Sequence, residues 1–398
     1  MTMMPVFRSR VVVVAVVTIL AVLGSLFFVS STRSGVALSL FFVVLIVGGS
    51  FISANSVRRS HPVVTRALTS ALVVDVTLLA TFRLSATADS NLAIGAAMSI
   101  VLLGLSFLTG SSGQISLGNG AFMGVGAFTV AIWANHHATT PIVVVLILAT
   151  LAGALVGLLL GLPATRLRGP YLAGMTLAFA VAFGAVLNLF GTWTGGDSGL
   201  QLPVAVNAPH WLIEIFGPRT SSLTSNSAWL ADIAVVVTGV ALFFMANLFA
   251  SRVGRAMRLV RDNDVAAELV GISLPRARVI AFTVSAAYAA LGGGLWTLIN
   301  NSVTPSTYGL ALSVTILSLV VIGGIGTIPG AIIGGIIYAY STDVIAWITA
   351  RTGLNPQGNV ASQLNGIIFG GLLIITILFA PLGLAGIARR WWHARAER

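Results

Sequence analysis

A few polar residues have side chains that could do chemistry, but none has the neighbours that a reaction needs. Asp197, in the segment TGGDSG, could serve as a catalytic carboxylate, although the segment is more typical of a solvated turn. His136 and His137 could bind a metal, but adjacent side chains point apart and no third ligand is near. The sequence contains no H-E-x-x-H motif, no nucleophile elbow and no P-loop. We therefore expect no enzymatic activity, no metal site and no cofactor bound by this chain.

A polar segment at residues 251–277 is a candidate for binding rather than for chemistry. Arginine recurs there at every third position, at Arg252, Arg255 and Arg258. Arg258 stands four residues before Asp262, which is the spacing of an ion pair on one helix face. Gly271 is typical of a helix end, and Pro275 follows it. The pattern predicts a short helix and a turn with a small apolar surface for a partner protein. Its members are Ala266, Ala267, Leu269 and Val270.

The composition places the elements that carry these residues in a membrane. Of the 398 residues, 57% are hydrophobic and 8% are charged, and the mean hydropathy is +1.00. Soluble domains carry roughly a quarter charged residues, so this chain cannot cover itself with a polar surface in water. The apolar runs are long and do not alternate, which favours transmembrane helices over a barrel. Cysteine is absent, which excludes disulfides and thiolate metal sites.

The basic charge is explained by orientation in that membrane. The net charge is +11, and all basic residues except histidine are arginine. A basic chain can bind nucleic acid, but these arginines stand beside apolar spans, where they orient a membrane protein. We therefore expect membrane lipid, and no nucleic acid, as a partner.

The apolar runs also set the number of crossings and the orientation. They give about twelve crossings, or about ten if the glycine-rich pieces are half-spans. An even count leaves both termini in the cytoplasm. Most arginine clusters then face the cytoplasm, at the N-terminus and at residues 58–66, 166–168, 252–278 and 389–397. Four arginines fall on the outside: Arg33, Arg83, Arg219 and Arg351. The main outer loops are residues 191–226 and 300–309. Asp75 lies within a span, where a charge is costly and is a candidate for a functional site, but we favour pairing with an arginine or polar group of a neighbouring helix.

Glycine-rich segments interrupt the apolar runs at two places. Residues 110–128 are too polar at their start for a lipid-facing span, because such backbone needs protein or a water-filled path around it. Residues 310–348 are too long for one span and are expected to fold back at residues 323–330. We interpret these segments as parts of a translocation path, although helix packing alone would also explain residues 110–126. The predicted path residues are Gln114, Ser116, Asn119, Thr176, Thr315, Gly323 and Gly324. Glycines at four-residue spacing predict close helix packing elsewhere, at Gly153, Gly157 and Gly161.

Three segments carry a family resemblance when they are taken in order. They are LTGSSGQISLGNGAFMGVGAF at residues 108–128, LPATRLRGPYLAGMTLAFA with TGGDSGL at 162–180 and 194–200, and RDNDVAAELVGISLPRARVIAFTVSAAYAALGG with VVIGGIGTIPGAIIGG at 261–293 and 320–335. This ordered set resembles the permease family of branched-chain amino-acid ABC importers, LivM type. The resemblance divides the chain into N-terminal transmembrane helices at residues 1–91, a permease domain at 92–385 and a basic cytoplasmic tail at 386–398.

The resemblance implies a permease subunit that forms half of a path for a small polar solute, with branched-chain or related amino acids leading. It implies a homologous second permease subunit, two ATPase subunits that bind ATP and Mg²⁺, an extracytoplasmic solute-binding protein, and the bacterial plasma membrane as location. It also implies a cytoplasmic coupling helix at about residues 258–271 with an E-A-A-x-x-x-G pattern, in which Val265 takes the glutamate position. The predicted coupling residues are Arg258, Asp262, Asp264, Ala266, Ala267, Glu268 and Gly271.

Three positions depart from the family's pattern and leave alternatives open. Val181 and Thr315 stand where the family often has glutamate, and Asn119 stands where it often has histidine. An ABC permease for urea, a small amide or a carboxylate is therefore an alternative. A self-contained secondary transporter is a second one, but it should carry paired charges at membrane depth, and only Asp75 qualifies. A membrane scaffold without transport would leave the polar glycine-rich backbone unexplained.

Overall fold

A computed structural model describes residues 86–137, 140–167, 170–202 and 222–352, together with single positions between 370 and 385. The predictions for Asp75, for residues 1–85 and for the basic tail lie outside the described residues. The described residues divide between two compact units, one that contains residues 86–89 and 222–243 and a larger one that contains the others. All the site residues belong to the second unit.

The described chain is almost entirely helical. The helices are α1 (Ala86–Ser112), α2 (Asn119–His136), α3 (Ile142–Ala164), α4 (Pro170–Leu189), α5 (Gly191–Thr194), α6 (Ser222–Ala250), α7 (Arg252–Asp262), α8 (Asp264–Leu269), α9 (Leu274–Asn300), α10 (Leu310–Gly323) and α11 (Ile328–Thr352). Two short strands, β1 (Leu200–Gln201) and β2 (Ser302–Val303), pair antiparallel. Single 3₁₀ turns occur at Gly196–Ser198 and Pro305–Tyr308.

Five helices in the described part are long and apolar enough to cross a membrane. They are Asp89–Ser112, Ile142–Ala164, Tyr171–Leu189, Trp229–Ala250 and Leu274–Asn300. Two shorter apolar helices follow, Leu310–Gly323 and Ile328–Ser341. The predicted class of a helical, multi-pass membrane protein is confirmed. The orientation of the termini remains a prediction.

In the unit that contains residues 222–243, the structure describes most of α6. The Thr238 hydroxyl donates to the Ala234 carbonyl at 2.7 Å, so a polar group inside an apolar helix is satisfied by the helix itself. Ala231 and Ala234 are buried, whereas Val236 and Val240 are exposed. This part of α6 therefore has one packed face and one open apolar face, as expected of a helix that also contacts lipid.

In the larger unit, α9 packs along α3 and α2 through small residues. A Cβ atom at Gly153 or Gly157 of α3 would collide with the Cβ atoms of Ala290 and Ala286 on α9. The predicted close-packing glycine face is therefore confirmed at these positions. Without a strong hydrophobic drive between helices in lipid, such close backbone approach provides much of the packing energy.

The contact of α9 with α2 is closer still. The Gly293 Cα stands against the Met123 carbonyl, and the Gly126 Cα stands against the Ala290 carbonyl. A side chain at either glycine would have to displace backbone, which cannot move without shifting a whole helix. These two glycines fix α2 on α9 and with it the start of α2, where the candidate site begins.

Two non-helical breaks interrupt the apolar helices, as the sequence predicted. The first break, residues 113–118, separates α1 from α2 and begins at Gly113 with φ of 69°. The second break, residues 324–327, separates α10 from α11 and contains Gly324 and Gly326 with φ of 123° and 73°. These positive φ angles favour glycine, because a Cβ atom would clash with the backbone. The predicted fold-back at residues 323–330 is confirmed.

Replacing Gly293 with alanine should destabilise the protein by about 1–3 kcal/mol, because the added methyl group must displace the Met123 carbonyl. The matched control is Gly174→Ala, which lies inside α4 with no atom within 4 Å of the added carbon. Since alanine favours a helix more than glycine does, Gly174→Ala should leave stability unchanged or raise it by up to about 1 kcal/mol. Thermal unfolding of the detergent-purified chain measures both, and equal losses for the two variants would contradict the packing analysis.

Candidate translocation path and coupling site

The first break is held in place by a side chain of α4. The Thr176 hydroxyl accepts a hydrogen bond from the Leu117 N–H at 3.0 Å and is itself fully buried. The hydroxyl can donate back to the carbonyl of Leu172 or Ala173 in its own helix. A backbone donor without a helical partner is thus satisfied inside the protein. The predicted path residue Thr176 lies directly against the break.

The start of α2 is satisfied by two serines. The first N–H groups of a helix have no intrahelical partner. The Ser313 hydroxyl of α10 accepts from the Gly120 N–H at 3.0 Å, and the Ser116 hydroxyl accepts from the Gly118 N–H at 3.2 Å. Both serines are fully buried. The first break is therefore tied to α10 as well as to α4.

Polar side chains around the first break are buried without partners. Gln114 is 7% exposed and Asn119 is 1% exposed. Neither the amide nitrogen nor the amide oxygen of either residue has a hydrogen-bond partner among the described residues. The same holds, within that part of the chain, for the hydroxyls of Thr109 and Ser111. A buried polar group without a partner costs about 1–3 kcal/mol, so such a cluster requires water or a ligand to complete it.

These amides are suited to a small polar ligand. Each offers two N–H donors and a carbonyl acceptor, and neither carries a charge. An amide of this kind can accept from an ammonium group or donate to a carboxylate. Because both side chains are neutral, the protein need not bury a charge of its own to bind a polar ligand here. The predicted path residues Gln114 and Asn119 thus keep amide groups that no described residue occupies.

The second break lies against the first helix of the unit. The Gly326 N–H donates to the Ser106 hydroxyl of α1 at 3.0 Å. The Gly110 Cα of α1 stands against the Gly326 backbone with no room for a Cβ atom. The Thr327 hydroxyl donates to the Gly324 carbonyl at 2.8 Å and accepts from the Gly330 N–H at 3.2 Å. The two breaks are thereby connected through the last turns of α1. The predicted path residues Gly323 and Gly324 are buried here.

Two of the positions that depart from the family's pattern lie apart from the breaks. The Thr315 hydroxyl is used by its own helix, where it donates to the Ala311 carbonyl at 3.0 Å. In the described ranges, no hydrogen bond joins Thr315 to either break. Val181 is exposed on α4. The described hydrogen bonds thus tie Ser116 and Thr176 to the first break, and the one printed for Thr315 stays within its own helix.

The polar segment after α6 folds as two helices, where the sequence predicted one helix and a turn. Asn263, with φ of −160°, breaks the segment, and its side-chain oxygen accepts from the Ala266 N–H at 3.0 Å as the N-cap of α8. At the other end, the Gly271 N–H donates to the Glu268 carbonyl and the Ile272 N–H donates to the Ala267 carbonyl, both at 2.9 Å. With φ of 82° at Gly271, this is a Schellman cap. The predicted helix end at Gly271 is confirmed.

The exposed surface of α8 differs from the predicted one. Ala267, which the sequence placed on that surface, is fully buried. Val265, Leu269 and Val270 are 67%, 83% and 67% exposed. Val265 and Leu269 are four residues apart and share a helix face. Aliphatic side chains this exposed outside a long apolar helix are accessible to a partner protein.

The expected ion pair between Arg258 and Asp262 is not formed in the described structure. Asp262 pairs instead with its neighbour Arg261, at 2.8 Å between Nη2 and Oδ1. Asp264 pairs with Arg278 of α9 at 2.7 Å, and both of these side chains are partly buried. Helical spacing allows an ion pair of Arg258 with Asp262. The Asp262 carboxylate is instead paired with Arg261, whose guanidinium also donates to the Gly110 carbonyl of α1. The second pair fastens α8 to the start of α9.

Arg261 is a functional candidate that the sequence reasoning missed. Its Nη1 donates to the Gly110 carbonyl in the last turn of α1, and its Cγ lies against Gly113 in the first break. A signal was present, because Arg261 continues the three-residue repeat of Arg252, Arg255 and Arg258. Its partner lies 151 residues earlier in the chain, which no local pattern reveals.

The two predicted outer loops meet in the strand pair. Leu200 of β1 pairs with Val303 of β2, and the Leu202 N–H donates to the Asn301 carbonyl at 2.9 Å. Tyr308 is buried beneath this end, where its hydroxyl lies 3.4 Å from the Thr297 hydroxyl. Burial raises the pKa of Tyr308 to about 12, so it remains a neutral phenol. The described parts of the two loops therefore form one continuous structure.

The residues first considered for chemistry lie near this end. Asp197 stands in a 3₁₀ turn between Gly195 and Gly199 and accepts from the Asn188 amide, as expected of a turn. The His137 ring packs against Trp133 and the His136 ring against Trp193, with centroid distances of 4.8 and 5.7 Å. The adjacent histidines thus contact different aromatic side chains.

The sequence is similar to those of known transport proteins. The family model described as branched-chain amino acid transport system / permease component matches residues 87–377. The high-affinity branched-chain amino acid transport system permease protein LivM of Salmonella typhimurium is 29% identical over 310 residues, which cover 73% of this chain and 68% of that protein. LivM of Escherichia coli shows the same identity and coverage.

A second type of permease is also similar. The high-affinity branched-chain amino acid transport system permease protein LivH of Salmonella typhimurium is 26% identical over 213 residues, which cover 53% of this chain and 64% of LivH. No solved structure matches the chain. The family match covers both breaks, α8 and the strand pair. On this evidence the chain belongs to the branched-chain amino-acid transport system permease family.

Proposed function

We propose that this chain is a LivM-type permease subunit of an ABC importer and forms half of the path that carries a small polar solute across the plasma membrane of a bacterium. The observation that carries the proposal is the cluster of buried, unpartnered polar groups at the first break. A helix bundle that served only as a scaffold would gain stability by replacing them with apolar side chains. Their presence is explained if a solute or its water completes their hydrogen bonds during passage.

The energy for transport comes from other chains. The sequence contains no P-loop, so ATP and Mg²⁺ are bound by two separate ATPase subunits, and this chain is not itself an enzyme. The exposed aliphatic surface of α8 supports docking of an ATPase, because Val265 and Leu269 project from a capped helix. The ion pair of Asp264 with Arg278 would pass a displacement of α8 to the base of α9.

The remaining partners follow from the same scheme. A homologous second permease subunit supplies the other half of the path, as the similarity to both LivM and LivH suggests. An extracytoplasmic solute-binding protein docks on the outer loops, and the strand pair of β1 with β2 supports a single docking surface at that end. In this arrangement both termini and α8 face the cytoplasm.

The solute that the site supports best is a branched-chain or related amino acid. The amides of Gln114 and Asn119 can serve both ends of a zwitterion without burying a fixed charge. Urea or a small amide would use the same groups. The named relatives transport branched-chain amino acids, which favours the first choice.

Replacing the unpartnered amides should separate stability from transport. Gln114→Leu and Asn119→Leu each remove a buried polar group that has no partner, so the unfolding free energy should rise or stay within about 1 kcal/mol. Uptake of radiolabelled leucine should fall by about tenfold or more, since the solute loses a hydrogen-bonding partner. Thermal unfolding and uptake into proteoliposomes that contain the whole transporter measure the two effects.

The control for this experiment is Thr150→Val on α3. The Thr150 hydroxyl donates to its own helix, at the Leu146 carbonyl, and no hydrogen bond among the described residues joins it to either break. This variant should keep uptake near the wild-type rate. If Gln114→Leu and Asn119→Leu unfold the protein, the two amides serve packing. If the variants leave uptake unchanged, the amides do not serve passage of the solute.

Docking of the ATPase should depend on the exposed face of α8. Leu269→Asp places a charge where an aliphatic side chain would be buried by the partner, which should reduce copurification of the ATPase subunits by about tenfold or more. Val253→Asp, at an exposed aliphatic position on α7, is the matched control and should retain them. Membrane insertion, followed by immunoblotting of the membrane fraction, should be the same for both variants. Equal retention of the ATPases would place the docking surface elsewhere.

A further inference from the structure

Arg261 is the one side chain of the α7–α8 segment for which the structure gives a hydrogen bond to the neighbourhood of a break. Its Nη1 donates to the Gly110 carbonyl, and its Cγ lies against Gly113. Gly110 belongs to the last turn of α1, whose final carbonyls have no partner within the helix. A cation at a helix C-terminus is favourable, and a guanidinium bond to a carbonyl is charge-assisted. The bond therefore has a defined place in the fold.

The guanidinium is fixed from its other side by Asp262. The carboxylate accepts from Nε at 2.9 Å and lies 2.8 Å from Nη2, which leaves Nη1 for the Gly110 carbonyl. Asp262 is the last residue of α7, and Asn263, the next residue, is the N-cap of α8. A displacement of α8 therefore acts on the chain two residues from Arg261.

The Gly110 carbonyl leads on to the second break. The Gly110 Cα stands against the Gly326 backbone, and the Gly326 N–H is held by Ser106 one turn earlier in α1. Rigid backbone contacts of this kind transmit a displacement, because neither side has a flexible side chain to absorb it. The end of α1 is thus in contact with α7, the first break and the second break.

We propose that Arg261 is the positioning residue that transmits movement of the ATPase-docking helix α8 to both glycine-rich breaks through the end of α1. The inference rests on the proposed function. The ion pair of Asp264 fastens α8 to α9. The Arg261 side chain instead contacts the first break, which carries Gln114. Loss of Arg261 should leave ATPase docking intact and disconnect ATP hydrolysis from opening of the path.

The test uses the intact transporter in proteoliposomes and compares Arg261→Ala with Arg255→Ala. Arg255 is the matched control, since it lies on the same helix and its Nη1 donates to a helix-end carbonyl, that of Ala250, at 2.7 Å. Arg261→Ala should lower leucine uptake by about tenfold or more while ATP hydrolysis and ATPase copurification stay within about twofold of wild type. Arg261→Lys should recover part of the uptake, because an ammonium can still donate to the Gly110 carbonyl.

A second readout separates transmission from a merely structural role. Because the chain contains no cysteine, Ile115→Cys provides a single thiol at an exposed position in the first break. The thiol is alkylated by a maleimide in the intact transporter, and the label on this chain is then measured after the subunits have been separated. The rate of alkylation should change when ATP is added, and Arg261→Ala should abolish that change. Arg255→Ala should preserve it.

Each contrary result has a definite meaning. Unchanged uptake in Arg261→Ala, joint loss of uptake and ATPase copurification, or an equal loss in Arg255→Ala would overturn the inference. An alkylation rate in Arg261→Ala that still responds to ATP would do the same. If the wild-type transporter shows no uptake that depends on its ATPases, the proposed function fails instead, and the two failures are thereby distinguished.

Discussion

Backbone that leaves the helical conformation inside a membrane protein must find its hydrogen bonds within the protein, and this requirement governs the arrangement around the two breaks. Thr176 of α4 satisfies the first break, and Ser106 of α1 satisfies the second. Arg261 of α7 satisfies a carbonyl at the end of α1. Each partner belongs to a helix other than the one that ends at the break it serves. The breaks are therefore stable only when these helices are assembled around them.

Close packing of glycine makes that assembly possible. Gly126 and Gly293 let α2 and α9 approach until backbone touches backbone, and Gly110 and Gly326 do the same for α1 and the second break. Larger residues would hold the helices apart and leave the hydroxyl groups out of reach of the backbone. Glycine thus has two roles here, as a turn residue at positive φ in the breaks and as a contact surface in the helices.

The features that the sequence predicted are those with a local cause. Gly271 ends α8 because only glycine adopts positive φ easily, and the glycines of α3 share a face because their spacing matches the helical repeat. The division of α7 from α8 also has a local cause, the Asn263 cap on the Ala266 N–H, which the sequence reasoning overlooked. The hydrogen bond of Arg261 to the Gly110 carbonyl has a distant partner, 151 residues earlier in the chain. The Gln114 and Asn119 amides are buried without hydrogen-bond partners among the described residues. The spacing of residues in the sequence does not predict this, because it depends on which helices surround the break.

The pairing of β1 with β2 has a consequence for biogenesis. The two strands are separated by roughly a hundred residues that include α6, α7, α8 and α9. Closing so long a loop is slow and is entropically costly, so the ladder forms only after the intervening helices have reached their places. The two strands lie at the same end of the helices, so β2 can reach β1 only if the helices between them are inserted. If α6 or α9 failed to insert, β1 and β2 would remain unpaired. We therefore expect pairing of β1 with β2 to be a late step of assembly.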